Sequence, residues 1–484
     1  MTEPNTRVLI VCFDALRPDM ATPELMPRLN AFADAGVRFT KGRSTFPTET
    51  RVNQTALVTG SVPSRHGIVG NKFIDRVASP DKLFNTGDED ALRVGDQRLD
   101  GKLVDVPVLS EILAAADESL AVVSSGTPGG TRMLNHRAEK LGHFRLSLHR
   151  PDASTPAAAV ATVVERVGPI PKHAIPSLDW LGYTTDVYLK YIQPDLDPAV
   201  TVLWFCEPDN SYHYKGLGAD DNLAAIARAD AEFGRLLDWR DSAGLNDSLN
   251  IITLSDHGQI TVSNDAIDIA GALTDAGFSV GATPFDGADC ALALSSAGGI
   301  YVRESDPDLI RNIVEWLQRQ SWCGLVFTRN GDLNHSQMNM DHRRAPDIGL
   351  VMATEDSVNE AGVVGATLQT SAYPIGGGLH GGVHAKELHA WLAMGGCAFR
   401  SGVKAETPSG VIDILPTTLS ILGITPPAAI DGRILTEALK DGGPAPDAVM
   451  ESYAQAGADG YRAHLSLTRV GTTGYLERGW VERS

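Results

Sequence analysis

Three largely apolar runs, each followed within three residues by an acidic residue, dominate the pattern of hydrophobic and polar positions along this chain. They span 7–13, 200–206 and 249–254. Continuous apolar runs of this length, rich in β-branched residues, are typical of strands buried on both faces of a parallel sheet. Because open α/β sheets bind ligands at the carboxyl ends of their strands, the acids indicate a site at that edge.

The segments between these runs favour helices and further strands, which indicates an α/β fold. The patterns predict helices at 27–39, 108–115, 220–238 and 409–422 and a strand at 120–124, and the apolar residues 390–394 indicate a return to the core. The hydroxyl-rich stretch 44–60 is interrupted by Pro47 and closed by Gly60, which predicts a loop that leads into a short helix.

Two segments show no clear periodicity. Residues 73–103 are polar and charged, so we expect a surface excursion or the margin of a lid. Residues 126–132 form a glycine-rich stretch that we predict to be a turn. Because this stretch lacks both the Walker lysine and dinucleotide-binding spacing, it does not indicate a nucleotide-binding fold.

The pattern changes to shorter segments between residues 264 and 373. Strands are predicted at 299–302 and 324–327, and a helix at 307–318. Since the strand-end pattern stops where this segment begins and resumes where it ends, we interpret it as an inserted α+β cap. The predicted division is therefore a metal-binding catalytic core at 1–263 and 374–440, the cap at 264–373, and a C-terminal tail of unknown role at 441–484.

Composition narrows the function classes. The formal charge of −19, from 41 basic and 60 acidic residues, argues against a surface that coats nucleic acid. The N-terminus has no basic segment followed by a long apolar one, so we expect a cytoplasmic protein without a membrane segment. The five cysteines are scattered without C-x-x-C spacing, which makes a disulfide framework or a thiolate zinc site unexpected.

The polar residues at the predicted strand ends suit a metal site. They are Asp14, Asp209, His213, Asp256, His257 and His380. Carboxylates and neutral imidazoles are ligands that zinc accepts, and this number of ligands suits two metals at a phosphoryl centre. Taken singly, Asp256-His257-Gly258 fits a tight turn equally well, and His213 fits a surface histidine.

Together, these motifs resemble a known family. They are Phe46-Pro47-Thr48-Glu49-Thr50-Arg51-Val52-Asn53, Leu57-Val58-Thr59-Gly60, His66-Gly67-Ile68-Val69-Gly70-Asn71, Glu207-Pro208-Asp209-x-x-x-His213, Ser255-Asp256-His257-Gly258 and Leu379-His380-Gly381. In this order they are similar to the nucleotide pyrophosphatase/phosphodiesterase family of the alkaline phosphatase superfamily, to which the phosphonoacetate hydrolases are close. The resemblance covers about residues 7–435. It implies an alkaline-phosphatase-like α/β/α sandwich with a mostly parallel central sheet and an inserted α+β cap.

The resemblance also implies roles for individual residues. Thr50 would be the nucleophile, and Asn53 would contact a non-bridging phosphoryl oxygen. The implied ligands are Asp14, Thr50, Asp256 and His257 for one zinc, and Asp209, His213 and His380 for the other. His384 and His389 are rivals of His380 as the last ligand.

Departures from the family pattern leave substrate preference open. Arg51 and Val52 stand where phenylalanine and proline are usual, and Gln54 also differs. Candidate substrate contacts are Asn71, Lys72 and Arg132, although each of the two cations fits an ordinary surface residue better.

We therefore expect a two-zinc hydrolase that cleaves small organic or nucleotide-like phosphodiesters through a phospho-threonine intermediate. Other divalent metals are alternatives to zinc. The same fold also suits a carbon–phosphorus hydrolase acting on a phosphonate, as phosphonoacetate hydrolase does, or a phosphomonoesterase. A metal-stabilised binding protein is the alternative from a different class, and the hydroxyl nucleophile argues against it. The leaving group and the oligomeric state stay open.

Overall fold

The computed structural model of the chain describes residues 6–285 and 287–484. In that part of the chain the α-helices are α1 (Pro27–Ala35), α2 (Thr50–Thr59), α3 (Pro63–His66), α4 (Glu89–Arg98), α5 (Leu109–Ala114), α6 (Pro128–Leu134), α7 (Ala138–Leu141), α8 (Ala157–Val167), α9 (Leu178–Val187), α10 (Asp209–Lys215), α11 (Asp220–Ser242), α12 (Ile269–Asp275), α13 (Pro307–Gln318), α14 (Ala385–Leu388) and α15 (Ile414–Ile421).

The first half of the chain holds the strands β1 (Arg7–Phe13), β2 (Val37–Phe39), β3 (Gly42–Arg43), β4 (Lys72–Asp75), β5 (Ser79–Asn85), β6 (Leu120–Ser124), β7 (Phe144–Ser147), β8 (Val200–Phe205) and β9 (Leu249–Leu254). The strands that follow are β10 (Ile260–Val262), β11 (Val280–Gly281), β12 (Cys290–Leu294), β13 (Ala297–Val302), β14 (Cys323–Thr328), β15 (Ile348–Met352), β16 (Thr354–Val358), β17 (Val364–Thr367), β18 (Gly378–Leu379), β19 (Leu392–Gly395), β20 (Val403–Ala405), β21 (Ser409–Gly410), β22 (Ala448–Ala456), β23 (Tyr461–Val470) and β24 (Thr473–Arg483).

An eight-stranded sheet forms the centre of the fold, in the order β20-β2-β19-β9-β1-β8-β6-β7. The strand β1 lies in the middle and pairs in parallel with both β8 and β9. The strand β19 is antiparallel to both of its neighbours. The prediction of a mostly parallel central sheet is thus confirmed.

Alternate residues of β1 enter two separate hydrophobic cores. Val8 and Ile10 pack on one face with residues of α2. Leu9 and Val11 pack on the other face with residues of α1 and α11. Because successive side chains of a strand point to opposite faces, a strand without polar residues must be covered by helices on both sides. This explains the α/β/α arrangement.

The predicted helix at 27–39 is wrong over its last four residues. The helix α1 ends at Ala35, and Val37–Phe39 forms the strand β2 of the central sheet. Gly36 lies between α1 and β2. A Cβ atom on this residue would lie 2.2 Å from the carbonyl oxygen of Met394. Only glycine allows this close approach of two backbones.

The segments 73–103 and 126–132 also differ from the prediction. The first contains the hairpin of β4 and β5 and the helix α4, with Phe73 and Phe84 buried against each other at 5.3 Å. In the second, α6 begins at Pro128, and the Thr127 side chain accepts a hydrogen bond from the amide of Gly130. A capping threonine and an N-terminal proline favour a helix start here despite the neighbouring glycines.

The segment 264–373 contains a five-stranded sheet in the order β11-β12-β13-β15-β14. The helices α12 and α13 pack on it through a hydrophobic core of their own, which includes Ile269, Ile313 and Leu350. Two further strands of the segment, β16 and β17, belong to a four-stranded sheet with β10 and β18. Because β10 and β18 directly follow and precede core motifs, this small sheet joins the predicted cap to the predicted core.

The C-terminal residues form an antiparallel sheet of β22, β23 and β24. Tyr475 donates a hydrogen bond to Asp413 at 2.8 Å, and Tyr461 donates one to the carbonyl of Gly324 at 2.9 Å. The predicted tail therefore packs against both of the other segments. Within the described residues no helix is long and apolar enough to cross a membrane. All five cysteines are free thiols.

Candidate active site

Three neighbouring strands deliver the candidate ligands to one edge of the central sheet. Asp14 follows β1, Asp209 begins the helix that follows β8, and Asp256 and His257 follow β9. Since β8, β1 and β9 are adjacent and parallel, their carboxyl ends lie side by side. His380 comes from the chain just after the predicted cap, directly following β18.

Asp14, Asp256 and His257 form the first group, in which candidate ligand atoms lie within 4.8 Å of one another. The Nε2 atom of His257 is 3.2 Å from Asp256 Oδ2 and 3.7 Å from Asp14 Oδ1. One oxygen of each carboxylate is held by the protein, because Trp204 donates to Asp14 at 2.7 Å and the amide of Ala15 donates to Asp256 at 3.0 Å.

The two remaining oxygens, Asp14 Oδ1 and Asp256 Oδ2, are buried and have no hydrogen-bond partner within the described residues. Burial and the charge of Asp256 raise the pKa of Asp14 well above its ordinary value. A cation bound between these two acceptor oxygens and the histidine nitrogen would compensate for the missing donors.

Thr50 is the first residue of α2, and its hydroxyl oxygen lies 3.2 Å from His257 Nε2. The unpaired amides and the positive end of the dipole at a helix start favour an anion in this position. The loop before the helix is fixed, because the carbonyl of Thr48 accepts a hydrogen bond from His380 Nδ1 at 2.7 Å. The hydroxyl therefore sits at the edge of the first group.

Asp209, His213 and His380 form the second group, again with candidate ligand atoms within 4.8 Å. The Nε2 atoms of His213 and His380 lie 3.3 and 3.6 Å from Asp209 Oδ1. The Nδ1 atom of His213 donates to the carbonyl of Gly378 at 2.7 Å, as His380 Nδ1 does to Thr48. A histidine that donates from Nδ1 keeps the lone pair of Nε2 for a ligand.

The electrostatics of the second group centre on Asp209. Burial by itself would raise the pKa of Asp209, but His213 and His380 lower it. Burial would lower the pKa of His213, and Asp209 reverses the effect so that it is raised. Burial and the neighbouring His257 lower the pKa of His380 well below its ordinary value. At least one imidazole of the site is thus held neutral, as a metal ligand requires.

Two further residues reach the site that the sequence patterns did not indicate. The Cys206 thiol lies with Asp14 and Asp209 in a third group of candidate ligand atoms. Gln259 donates from Nε2 to Asp209 Oδ1, and its own Oε1 is buried without a partner within the described chain. In the sequence, both lie within three residues of a predicted ligand. Only this proximity could have indicated that they reach the site.

The structure does not place Asn53 in the pocket. Its side chain is fully buried, and its Oδ1 accepts hydrogen bonds at 2.9 Å from both the amide and the hydroxyl of Thr45. Its Nδ2 donates to the carbonyl of Glu49 at 3.1 Å. Both ends of the amide thus hold the loop before α2, and Asn53 is not among the residues that line the cavity described below.

Arg132 is also absent from the pocket. Its guanidinium is buried and pairs with Glu89 at 2.6 Å, so it joins α6 to α4. The rival ligands lie outside both groups as well. His384 pairs with Asp356 at 2.9 Å, and His389 lies 3.9 Å from Glu477.

A cavity of about 720 Å³ opens beside the two groups. His213 and His380 line one part of it, and Arg51, Asn71 and Lys72 line another. Much of the remaining wall consists of residues from the predicted cap, namely Ile267, Asp268, Ile269, Ala270, Leu292, Ala293, Leu294, Ser295, Ala297, Gly298, Gly299, Tyr301, Met340, Pro346, Thr370, Ser371, Ala372 and Tyr373. The cavity is thus polar near the histidines and largely apolar on the cap side.

Comparison with known proteins gives consistent matches. A family model described as type I phosphodiesterase / nucleotide pyrophosphatase matches residues 8–353. The bis(5'-adenosyl)-triphosphatase enpp4 of Xenopus laevis is 25% identical over 431 residues, which cover 87% of this chain and 78% of the relative. The ectonucleotide pyrophosphatase/phosphodiesterase family member 7 of Mus musculus is 25% identical over 265 residues, or 54% of this chain and 52% of the relative. The chain thus matches about half the length of this second relative.

Among solved structures, an inactive variant of murine ectonucleotide pyrophosphatase/phosphodiesterase 5 in complex with AMP is similar to this chain. The TM-score is 0.60 at 18% identity, and the match covers 87% of this chain and 96% of that one. The likeness supports the alkaline-phosphatase-like α/β fold with a large, mostly parallel central sheet.

Proposed function

Because the chain belongs to the type I phosphodiesterase/nucleotide pyrophosphatase family, we propose that it is a two-zinc hydrolase of small nucleotide-like or other organic phosphodiesters. Family membership supports phosphodiester hydrolysis as the reaction. One observation carries the proposal of a two-metal site with a threonine nucleophile. The Thr50 hydroxyl lies 3.2 Å from His257, at the edge of two adjacent groups of buried carboxylates and histidines.

The donor set suits two divalent metals. Asp14, Asp256 and His257 would hold one together with the Thr50 oxygen, and the second group would hold the other. The two buried acceptor oxygens without donors support this assignment. Carboxylate and imidazole ligands fit zinc, and they also accept manganese or iron. When bound, such metals lower the pKa of a coordinated hydroxyl and neutralise charge on phosphoryl oxygens.

The side chain of Thr50 supplies the nucleophile. Its oxygen attacks phosphorus while its proton leaves to solvent, and a new P–O bond forms as the bond to the leaving alcohol breaks. The leaving oxygen takes up a proton. Water then cleaves the phospho-threonine, which releases the phosphoryl product and restores the hydroxyl. The helix start of α2 stabilises the negative charge that develops beside Thr50.

We assign to Asn71 the contact with a non-bridging phosphoryl oxygen that the family resemblance suggested for Asn53. Asn71 lines the cavity, and its Oδ1 accepts a hydrogen bond from the amide of Arg51 at 3.2 Å. This bond directs the amide of Asn71 while its Nδ2 keeps no hydrogen-bond partner in the described chain. A fixed donor aimed at developing charge is the arrangement that stabilises a transition state.

The substrate would be a small molecule. A cavity of about 720 Å³ falls within the range for small ligands, and its apolar cap side suits an aromatic or other organic group. The murine relative that binds AMP supports a nucleotide-like substrate for this chain. Cations at the cavity also suit the alternative of a phosphomonoesterase or of a carbon–phosphorus hydrolase such as phosphonoacetate hydrolase, because small dianions need extra positive charge.

The test is a substrate panel on zinc-loaded protein. We would compare bis(p-nitrophenyl) phosphate, p-nitrophenyl phosphate, a dinucleoside polyphosphate and phosphonoacetate, with the Thr50→Ala protein as the blank. Highest kcat/KM for a diester or dinucleotide supports the proposal. Highest kcat/KM for the monoester or the phosphonate would replace it with the alternative. Turnover that Thr50→Ala retains would exclude Thr50 as the nucleophile.

A further inference from the structure

We propose that Arg51 and Lys72 form an anion subsite, which selects substrates that carry a second negative charge close to the scissile phosphoryl group. The inference rests on the proposed hydrolysis of phosphoesters and specifies the class of substrate. A carboxylate or a second phosphate would supply that charge.

Arg51 directly follows the candidate nucleophile Thr50 and lines the cavity. Its backbone amide is fixed on Asn71, so the start of the side chain has a defined position. The guanidinium lies over Gly87, where an added Cβ atom would be 3.9 Å from Arg51 Cζ. Its Nε atom is buried and has no hydrogen-bond partner within residues 6–285 and 287–484.

Arg51 forms no ion pair with a carboxylate of the described chain, and this distinguishes it from the buried arginines. These are Arg17, Arg43, Arg132, Arg145 and Arg344, and each has a carboxylate within ion-pair distance. A partly buried guanidinium without a carboxylate in ion-pair contact is costly, because its loss of hydration is not fully compensated. An anion that enters the cavity would provide the missing compensation.

Lys72 adds a second cation to the same cavity. It begins β4 directly after Asn71, its side chain is exposed, and no ion pair of the described residues includes it. The two cations thus lie on either side of Asn71 in the chain, next to the position proposed for the phosphoryl group. A planar guanidinium can bind a carboxylate or phosphate through two parallel hydrogen bonds, and an ammonium adds a point charge.

Two carboxylates, Glu49 and Asp268, also line the cavity. Glu49 Oε2 accepts a hydrogen bond from the amide of Asn71. Asp268 accepts one from the amide of Gly271 at 2.9 Å, which caps α12. Neither carboxylate forms an ion pair with Arg51 or Lys72 in the described chain. Burial raises the pKa of Glu49, and the amide of Asn71 and the charges of Arg51 and Lys72 oppose this shift, so Glu49 acts on both cations from beyond ion-pair distance.

The experiment compares three diesters that share one leaving group. They are p-nitrophenyl ethyl phosphate, p-nitrophenyl 2-carboxyethyl phosphate and p-nitrophenyl 2-phosphoethyl phosphate, assayed with zinc-loaded wild type, Arg51→Met and Lys72→Met. The exposed Lys140 provides the matched control as Lys140→Met, which removes one charge far from the cavity. The ethyl diester carries only the charge of its phosphodiester group, and the other two carry an additional anionic arm. The quantity of interest is the ratio of kcat/KM for each diester with an anionic arm to that for the ethyl diester.

We expect wild type to prefer at least one anionic diester by about tenfold or more, and Arg51→Met to reduce that ratio by about ten- to a hundredfold. Lys72→Met should reduce it by a smaller factor because its ammonium is exposed, and Lys140→Met should leave it unchanged. Preference for the carboxyl arm or the phosphate arm identifies the source of the charge. An unchanged ratio in Arg51→Met, with turnover of the ethyl diester intact in wild type, would overturn the inference while the proposed function stands.

A binding measurement separates failure of the anion subsite from failure of the proposed function. Isothermal titration of ethyl phosphate and 2-carboxyethyl phosphate into zinc-loaded Thr50→Ala protein, with and without Arg51→Met, measures the subsite without turnover. If wild type hydrolyses none of the three diesters, the proposed function fails. In that case tighter binding of 2-carboxyethyl phosphate that depends on Arg51 still supports the subsite, and equal binding of both ligands overturns it.

Discussion

The imidazole rings of His257 and His380 stack at 3.9 Å between centroids, with their planes 16° apart. His257 belongs to the first group of candidate ligands and His380 to the second, so this contact joins the two groups. Two stacked rings at this distance repel each other when both are charged, and the lowered pKa of His380 reflects that repulsion together with burial. The lowered pKa of His380 favours its neutral imidazole, which is the form that binds metal.

We expect removal of metal by a chelator to abolish hydrolysis, and zinc to restore it. Elemental analysis should find about two zinc ions per chain in wild type and about one in His380→Ala, because three ligands would then be reduced to two at one position. His384→Ala is the matched control, since His384 pairs with Asp356 away from both groups. Equal metal content in all three proteins would contradict the assignment of His380.

Thr50→Ala should lower kcat by at least about a thousandfold and leave the melting temperature close to that of wild type. The hydroxyl is at a helix start and its hydrogen-bonding contact is with His257, so the core does not depend on it. Thr50→Ser, which keeps a hydroxyl, should retain part of the activity. Rapid quenching with a labelled diester should trap a phosphorylated protein in Thr50→Ser but not in Thr50→Ala.

Replacement of Asn53 should mainly lower stability, whereas replacement of Asn71 should mainly lower the rate of hydrolysis. Asn53→Ala should cost about 1–3 kcal/mol of stability, since it leaves the buried amide of Thr45 without its acceptor. Asn71→Ala should lower kcat by about a hundredfold or more with a smaller change in stability. Urea unfolding and steady-state kinetics on the same preparations give both numbers. The reverse pattern would restore Asn53 as the substrate contact.

His66 should make the protein sensitive to acid. Burial, with His342 and Arg344 nearby, lowers the pKa of His66 to about 3 from its ordinary 6.5. In this pH range His66 binds a proton in the unfolded chain but not in the folded chain. The free energy of unfolding therefore falls as pH falls from about 6.5 towards 3.

His66→Asn removes this titration and keeps an acceptor for the amide of Ile68, which donates to His66 at 3.1 Å. Between pH 7.5 and pH 5, wild type should lose about 2 kcal/mol more unfolding free energy than His66→Asn. Urea unfolding at the two pH values measures the difference, and equal losses would show that His66 is charged in the fold.

The cap should influence which substrate is preferred. Tyr373, at the end of the segment 264–373, stacks on His213 at 4.3 Å and lines the cavity. Tyr373→Ala should change the ratio of kcat/KM between a dinucleotide and bis(p-nitrophenyl) phosphate by about two- to tenfold, the usual range for an aromatic contact. Tyr373→Phe keeps the stacked ring and is the control. If both substrates lost the same factor at constant metal content, the cap residue would act only as support.

Local patterns in the sequence were sufficient for the fold class and for the edge of the sheet that carries the candidate site. The strands at 7–13, 120–124, 200–206 and 249–254 and the helix at 307–318 are confirmed within a residue. Strands buried on both faces need apolar side chains throughout, and this pattern is visible without any knowledge of neighbours. Because such strands run parallel, the acids that follow them had to meet.

The tertiary structure alone decided which polar side chains face the cavity. Asn53 and Arg132 looked free in the sequence, but Thr45 and Glu89 engage them. Cys206 and Gln259 reach Asp209 because the ends of their segments converge there. Whether a polar group is satisfied depends on partners brought together by packing, often from distant parts of the chain, and the sequence near the group carries no record of them.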